Sequence, residues 1–174
     1  MNLYLKEPTL KYKNQAIEYI NEFLEYNSNI NGTSGLDDYL DNYELWLKKL
    51  ENNKNRIPNE DKVPSNTFFL IREEDDKIIG MINIRLVLNE KLLKTAGNIG
   101  FSIRPTERRK GYAEKLSKLG LNYCKENNLD KVLLTCDKTN IGSAKTIIKC
   151  GGIFENELID ELDGELTQRY WITI

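Results

Sequence analysis

Asn98-Ile-Gly-Phe-Ser-Ile-Arg-Pro-Thr-Glu-Arg-Arg-Lys-Gly-Tyr-Ala113 is the stretch whose reading decides the fold. Phe101 and Ile103 alternate with Ser102 and Arg104, the period-2 pattern of a strand with one core face. Pro105 cannot donate to a sheet ladder and ends that strand. From Ala113 the apolar positions shift to helical spacing, with Ala113, Leu116, Gly120, Tyr123 and Cys124 on one stripe. Between the two lies Arg108-Arg109-Lys110-Gly111-Tyr112-Ala113. A helix start presents unpaired N–H groups and the positive end of the helix dipole, and Gly111 lets a ligand approach the backbone. Cations beside such a nest make a polyphosphate the natural guest.

The turn is neither of the two common phosphate loops. No Gly-Lys-Ser/Thr follows, so a hydroxyl for Mg²⁺ is missing, and one glycine stands where a dinucleotide fingerprint needs three. A nucleotide-phosphate binder is disfavoured on that ground.

Outward from this segment the chain reads as a run of short elements. Upstream, residues 10–27 carry Tyr12, Ala16, Tyr19, Ile20, Phe23 and Leu24 at helical spacing. Residues 27–35 are a turn-former loop, and residues 37–51 give a second amphipathic helix. Polar residues 51–66, with Pro58 and Pro64, read as a linker. Strands are expected at 67–72 and 77–87 around the acidic turn Glu73 to Asp76, followed by a connector at 89–96. Downstream of the helix at 111–127, Lys131 to Cys136 reads as a strand parallel to 98–104 through a right-handed crossover. A helix at 141–149 and a hairpin of 153–159 with 166–174 close the chain. This order is mixed α/β around one central, mostly antiparallel sheet.

With 174 residues, the chain is one domain by size. A net charge of −2, with no basic run beyond Arg108 to Lys110, gives no field for nucleic acid. The absence of a long apolar stretch, and an N-terminus unlike a signal peptide, point to a cytoplasmic protein with no membrane partner. There is no histidine, which excludes a Ser-His-Asp triad, a Cys-His pair and any His-bearing metal site. Cys124, Cys136 and Cys150 form no C-x-x-C and read as reduced packing residues.

Arg108-x-x-Gly111-x-Ala113 resembles the pyrophosphate-binding motif Arg/Gln-x-x-Gly-x-Gly/Ala of the GNAT acetyltransferase superfamily. Asp137-Lys-Thr-Asn140-Ile-Gly-Ser143, followed by Lys149-Cys-Gly-Gly-Ile-Phe-Glu155, is similar to that superfamily's next element. Together with Arg169-Tyr-Trp-Ile172, these motifs resemble a bacterial branch of predicted acetyltransferases over residues 30–174. The resemblance implies a twisted, mostly antiparallel sheet, splayed at one parallel pair and flanked by helices. It implies acetyl-CoA as co-substrate, no metal, and transfer of acetyl to a primary amine by direct attack in a ternary complex. A module that binds acyl-CoA without transfer fits the same motifs. The chain would act as a monomer or homodimer, with residues 1–66 shaping the acceptor site and 67–174 forming the acyl-CoA core.

Residue by residue, the resemblance implies cofactor contacts from Phe101, Ser102 and Ile103 on the strand and from Arg108, Arg109, Lys110, Gly111, Tyr112 and Ala113 on the turn. Asn140 fits both a pantetheine contact and a helix N-cap, and Ser143 both a cofactor contact and a first-turn hydroxyl. Many members place a tyrosine seven positions after the Asn, where this chain has Ile147, and the branch carries histidine where this chain has Asn98. The candidate catalytic groups are therefore Asp137, read as a base or as a turn or cap carboxylate, with Glu107 or a water chain as alternative bases, and Tyr170, read as a proton donor or as a packing residue of the last strand. Asp37, Asp38 and Asp41 beside Tyr39, Tyr43 and Trp46 read either as an acidic aromatic pocket for a cationic amine or as a helix with core aromatics.

Overall fold

The computed structural model describes residues 2–161 and 163–174. The sheet signals organise seven strands into two sheets. β1 (Leu3–Lys6), β2 (Asn66–Arg72), β3 (Lys77–Ile84) and β4 (Ile99–Ile103) pair antiparallel in that order. β5 (Lys131–Asp137), β7 (Leu166–Thr173) and β6 (Ile153–Ile159) form the second sheet, also antiparallel, in the order β5-β7-β6. The helices are α1 (Lys13–Glu25), α2 (Tyr43–Lys54), α3 (Glu90–Thr95), α4 (Tyr112–Glu126) and α5 (Ile141–Lys149).

The four-stranded sheet carries a core on each face. β2 and β3 are buried along nearly their whole length, so their sequences are continuous apolar runs and not alternations. Leu70, Ile79 and Ile82 pack under α4 with Leu116 and Cys124, and this core continues into Val132, Leu134 and Ile172 of the second sheet. Gly120 lets α4 lie close, since a Cβ there would stand 2.6 Å from the Ile82 Cδ1. On the opposite face Phe69, Ile71 and Met81 pack against Tyr12, Tyr19 and Phe23 around α1 and against Tyr43 and Trp46 of α2.

Two features differ from the sequence reading. β1 is an added edge strand, too short to announce itself, recognisable only because β2 offers it a partner. The helix expected over 37–51 is broken: a 3-10 turn at Leu36–Tyr39 precedes α2, and Asn42 between them has φ −140° and ψ 55°. Of the two readings left open for the aromatics near Asp37, Asp38 and Asp41, the core one holds for Tyr43 and Trp46, which are fully buried in the α1–α2 core.

Candidate active site

The site begins where the two sheets come apart. β4 pairs with β3 and β5 with β7, and the contact that joins β4's entry to β5 is Asn98. Its backbone N–H donates to the Leu133 carbonyl at 2.8 Å, and its Oδ1 accepts from the Leu133 N–H at 2.8 Å. The same side chain's Nδ2 donates to the Arg85 carbonyl at 2.8 Å. A side-chain amide thus replaces a missing peptide group and rivets three segments together. Gly97 before it has φ +66° and lies against the Leu133 carbonyl, an approach a side chain would block.

Past the rivet the strands part. Arg104 N–H bonds to the Ile79 carbonyl on the β3 side, whereas the Ile103 carbonyl accepts from Arg108 Nε at 3.1 Å on the other. Antiparallel pairing alternates, so Ile99, Phe101 and Ile103 turn their peptide groups away from β3, toward the gap. Two cavities occupy that gap, of 690 Å³ and 510 Å³, and both are lined by Asn29, Asn31, Phe101, Asp137, Asn140 and Ser143.

The larger cavity runs along the basic turn. Ser102, Ile103, Arg108, Arg109, Gly111, Tyr112 and Ala113 line it. Arg109 and Gly111 both take left-handed backbone, with φ +62° and +80°, which folds the turn into a nest. Gly111 is the N-cap of α4 and supplies no side-chain cap, so the first amides of the helix have no partner from their own helix. A Cβ on Gly111 would meet nothing within 4 Å, because the space beside it is the cavity. Arg108 is anchored by the Ile103 carbonyl, by Ser28 Oγ at 2.7 Å and over the Phe23 ring. Arg109 forms no ion pair among the described residues. An open cradle, helix amides and an unpaired guanidinium are a donor set that suits a pyrophosphate.

Lys110 is not brought to this cavity. Its ammonium turns back to Glu107 Oε2 at 2.9 Å, where Arg72 and Lys77 also converge. Burial raises the Glu107 carboxyl, but hydrogen bonds from Lys110, Arg72 and Lys77 outweigh it and hold it at about 2. Its oxygens are engaged by three cations, whereas the Asp137 carboxylate has no side-chain partner among the described residues. The work of Glu107 is to pin the turn to β2 and β3, a role the sequence hides because Arg72 and Lys77 lie in another hairpin.

On the facing wall Asn140 caps α5, its Oδ1 accepting from the Ser143 N–H at 3.0 Å. That satisfies the cap and leaves the Nδ2 amide beside both cavities. Asp137 closes β5 at the mouth, exposed, its carboxylate free of side-chain partners among the described residues. Tyr170 is not part of either wall. It is 4% exposed, packs edge-on against Phe154 and donates to Gln168 Oε1 at 2.8 Å. Burial raises its hydroxyl above the ordinary tyrosine value. Ile147, in the position where the resemblance would put a tyrosine, is core and lines the smaller cavity. The Cys124 and Cys136 thiols are pushed up to about 11 by burial, as packing thiols are.

Residues 27–35 read in the sequence only as a loop, yet Asn29 and Asn31 wall both cavities. The loop is seated on β4: Gly32, at φ +73°, leaves no room between itself and the Gly100 carbonyl. Ser102 Oγ donates to the Asn31 carbonyl at 2.5 Å and lies 3.0 Å from the Tyr19 hydroxyl. The signal available in the sequence was the density of Asn, Ser and Gly, which marks a turn without saying where it docks.

Among the described residues no group of three His, Cys, Asp or Glu side chains is placed to hold a metal, and no helix is long and apolar enough to cross a membrane. The family described as "Acetyltransferase (GNAT) domain" matches residues 16–153. The uncharacterized N-acetyltransferase YnaD of Bacillus subtilis (strain 168) is 30% identical over 130 residues, covering 68% of this chain and 71% of that protein. Solved structures of other proteins share the fold. RimJ of Mycobacterium smegmatis, in complex with CoA-disulfide, superposes with a TM-score of 0.76 at 15% identity, over 98% of this chain and 81% of that one. The microcin C7 self-immunity acetyltransferase MccE, in complex with acetyl-CoA and AMP, gives 0.69 at 20% identity, over 99% and 92%.

Proposed function

The chain belongs to the acetyltransferase (GNAT) domain family, and on that premise we propose that it moves an acetyl group from acetyl-CoA to a primary amine in a ternary complex. The observation that carries this reading is the cradle at Gly111: open space beside left-handed backbone, helix amides and the unpaired Arg109, continuous with an unpaired strand edge. Acetyl-CoA would lay its pyrophosphate on the turn from Arg108 to Ala113, with Arg108 fixing the turn and Arg109 supplying free charge. Its pantetheine arm would use the outward peptide groups of Phe101 and Ile103 as a surrogate strand, with the Asn140 amide and Ser143 opposite.

An outward N–H of β4 near the thioester carbonyl would stabilise the oxyanion as the amine attacks. The amine nitrogen forms the new C–N bond, the C–S bond breaks, and the CoA thiolate leaves. A thiol with a pKa near 8.5 leaves without strong acid help, consistent with the remoteness of Tyr170 from the cleft. Asp137, at the mouth shared by both cavities, takes the ammonium proton directly or through water. Residues 1–66 act with the rest as one unit, since Asn29 and Asn31 wall both cavities and Arg56 and Lys62 line a further basin near Arg85.

A second reading, a module that binds acyl-CoA without transferring acetyl, draws on Ile147 and the buried Tyr170, neither of which brings a phenol to the cleft wall. Free thiol released from acetyl-CoA across a broad panel of amines separates the two. Release that depends on an amine supports transfer; binding of acetyl-CoA by calorimetry with no release for any amine overturns it in favour of the module.

A further inference from the structure

The smaller cavity has a polarity of its own. At one end stands Asp137, with Asp160 and Asp163 also on the wall. At the other stands Arg85, half-buried, whose guanidinium donates, among the described residues, only to the Gly97 carbonyl, at 3.2 Å. No carboxylate among the described residues pairs with it. Burial pulls its pKa below the ordinary arginine value with nothing to offset it. A cation removed from water without a counter-ion is costly, and structures that keep one use it to meet an anion.

A second observation points the same way. Arg85 also lines an adjoining basin of 340 Å³. Lys49, Arg56 and Lys62 share its wall, with Asp61 as the acid present. Lys49 lies over the Tyr39 ring and Arg56 donates to Asn53 Oδ1, so neither is neutralised by a carboxylate. The acceptor side of the cleft therefore runs from acidic at Asp137 to basic at Arg85.

We propose that the acceptor is an amine that also carries an anionic group, a carboxylate or a phosphate, which Arg85 and its basic neighbours hold while the amine lies at Asp137. This rests on the transfer reading above. The span is set by the fold. Arg85 is tied to Asn98, which is tied to Leu133, and Asp137 lies four residues farther along β5, about 13 Å of strand. The Arg85 side chain takes up part of that length. An acceptor whose anion stands several bonds from its amine fits.

The test compares matched acceptors in acetyl transfer: 6-aminohexanoate against 1-aminohexane, and 3-aminopropyl phosphate against 1-aminopropane. The anionic member of at least one pair should win by about tenfold in kcat/KM, the effect of one charge-assisted contact. Which pair shows it tells carboxylate from phosphate. Arg85→Gln should bring that ratio to about one, and Arg85→Lys should restore part of it. A wild type that uses the neutral amines equally well overturns the proposal, as does an Arg85→Gln variant that loses both members of a pair alike. If no amine reacts, the transfer reading has failed, and calorimetry with 6-aminohexanoate and inorganic phosphate decides this one separately. Binding by the wild type that Arg85→Gln abolishes sustains the anion site; no binding, or equal binding, overturns it. Circular dichroism of each variant checks that it is folded.

Discussion

At the α4 end of the cleft the chain supplies turn, amides and cations from consecutive residues, Arg108 to Ala113, on the N-terminus of one helix. At the Arg85 end the wall is assembled from α2, residues 56–65, the loop at residues 27–35, the exit of β3 and the mouth of β5. The first end is local and, on the proposed reading, would meet a group common to every acyl-CoA. The second exists only when several distant segments meet, and its charges are those of this chain. Local construction suits a constant ligand, because backbone amides and a glycine do the recognising; assembled construction suits a variable one, because each wall can change independently.

The sharpest way to break this contrast is Gly111→Asp. Its Cβ clashes with no protein atom, so the fold should survive apart from the cost of a left-handed aspartate, about 1 kcal/mol. The carboxylate would stand in the phosphate cradle, and acetyl-CoA affinity should fall by about 100-fold or more by calorimetry, a loss of about 2.7 kcal/mol. Unchanged affinity would place the pyrophosphate elsewhere.

Glu107→Gln probes what holds the local end in shape. The wild-type carboxylate is depressed from 4.5 to about 2, so it contributes stability fully above about pH 4.5, lost as pH falls toward 2. Because Lys77 and Lys110 are partly solvated, the contribution is about 2–3 kcal/mol and not more. Urea melts at pH 7 should show that loss, and the variant should lack the wild type's steep decline between pH 4.5 and 2. Parallel curves for the two proteins would sink the assignment.

Asp137→Asn addresses the assembled end. The rate should drop about 10- to 100-fold with little change in acetyl-CoA affinity. The wild-type rate should climb through the alkaline range, because an amine with a pKa near 10 attacks only when neutral. Coincident pH–rate profiles for the two proteins would leave Asp137 a strand-end residue and the proton to water.

The smallest effect separates neighbours within the basic turn. Arg109→Glu should raise the Michaelis constant for acetyl-CoA about five- to tenfold and leave that for the amine nearly unchanged, the effect shrinking as salt screens an exposed contact. An equal rise for both substrates would make Arg109 structural, as Arg108 in part already is through Ser28 and Ile103.

The sequence alone determined the strand–turn–helix at residues 98–127, the helix α5 at Ile141–Lys149 and the closing hairpin, because periodicity and glycine and proline punctuation are local properties. The resemblance of its motifs, and not periodicity, singled out Phe101, Ser102, Ile103, Arg108, Arg109, Gly111, Tyr112, Ala113, Asn140 and Ser143, and these line one cavity together with Asp137 at the end of β5. Where a side chain is spent was decided by tertiary structure. Lys110 and Arg109 are neighbours in an identical basic run, yet one is drawn to Glu107 and the other faces the cavity. Tyr170 lies on a strand whose alternation is legible, yet which sheet face meets the cleft depends on how two sheets splay. Asn98 reads as a polar residue at a strand start; only the arrival of Leu133 makes it the rivet at the fork. Arg85 reads as a strand-end cation, and its lack of a counter-ion shows only once the chain is folded around it. Periodicity is written in near neighbours along the chain, whereas charge pairing and burial are set by neighbours in space.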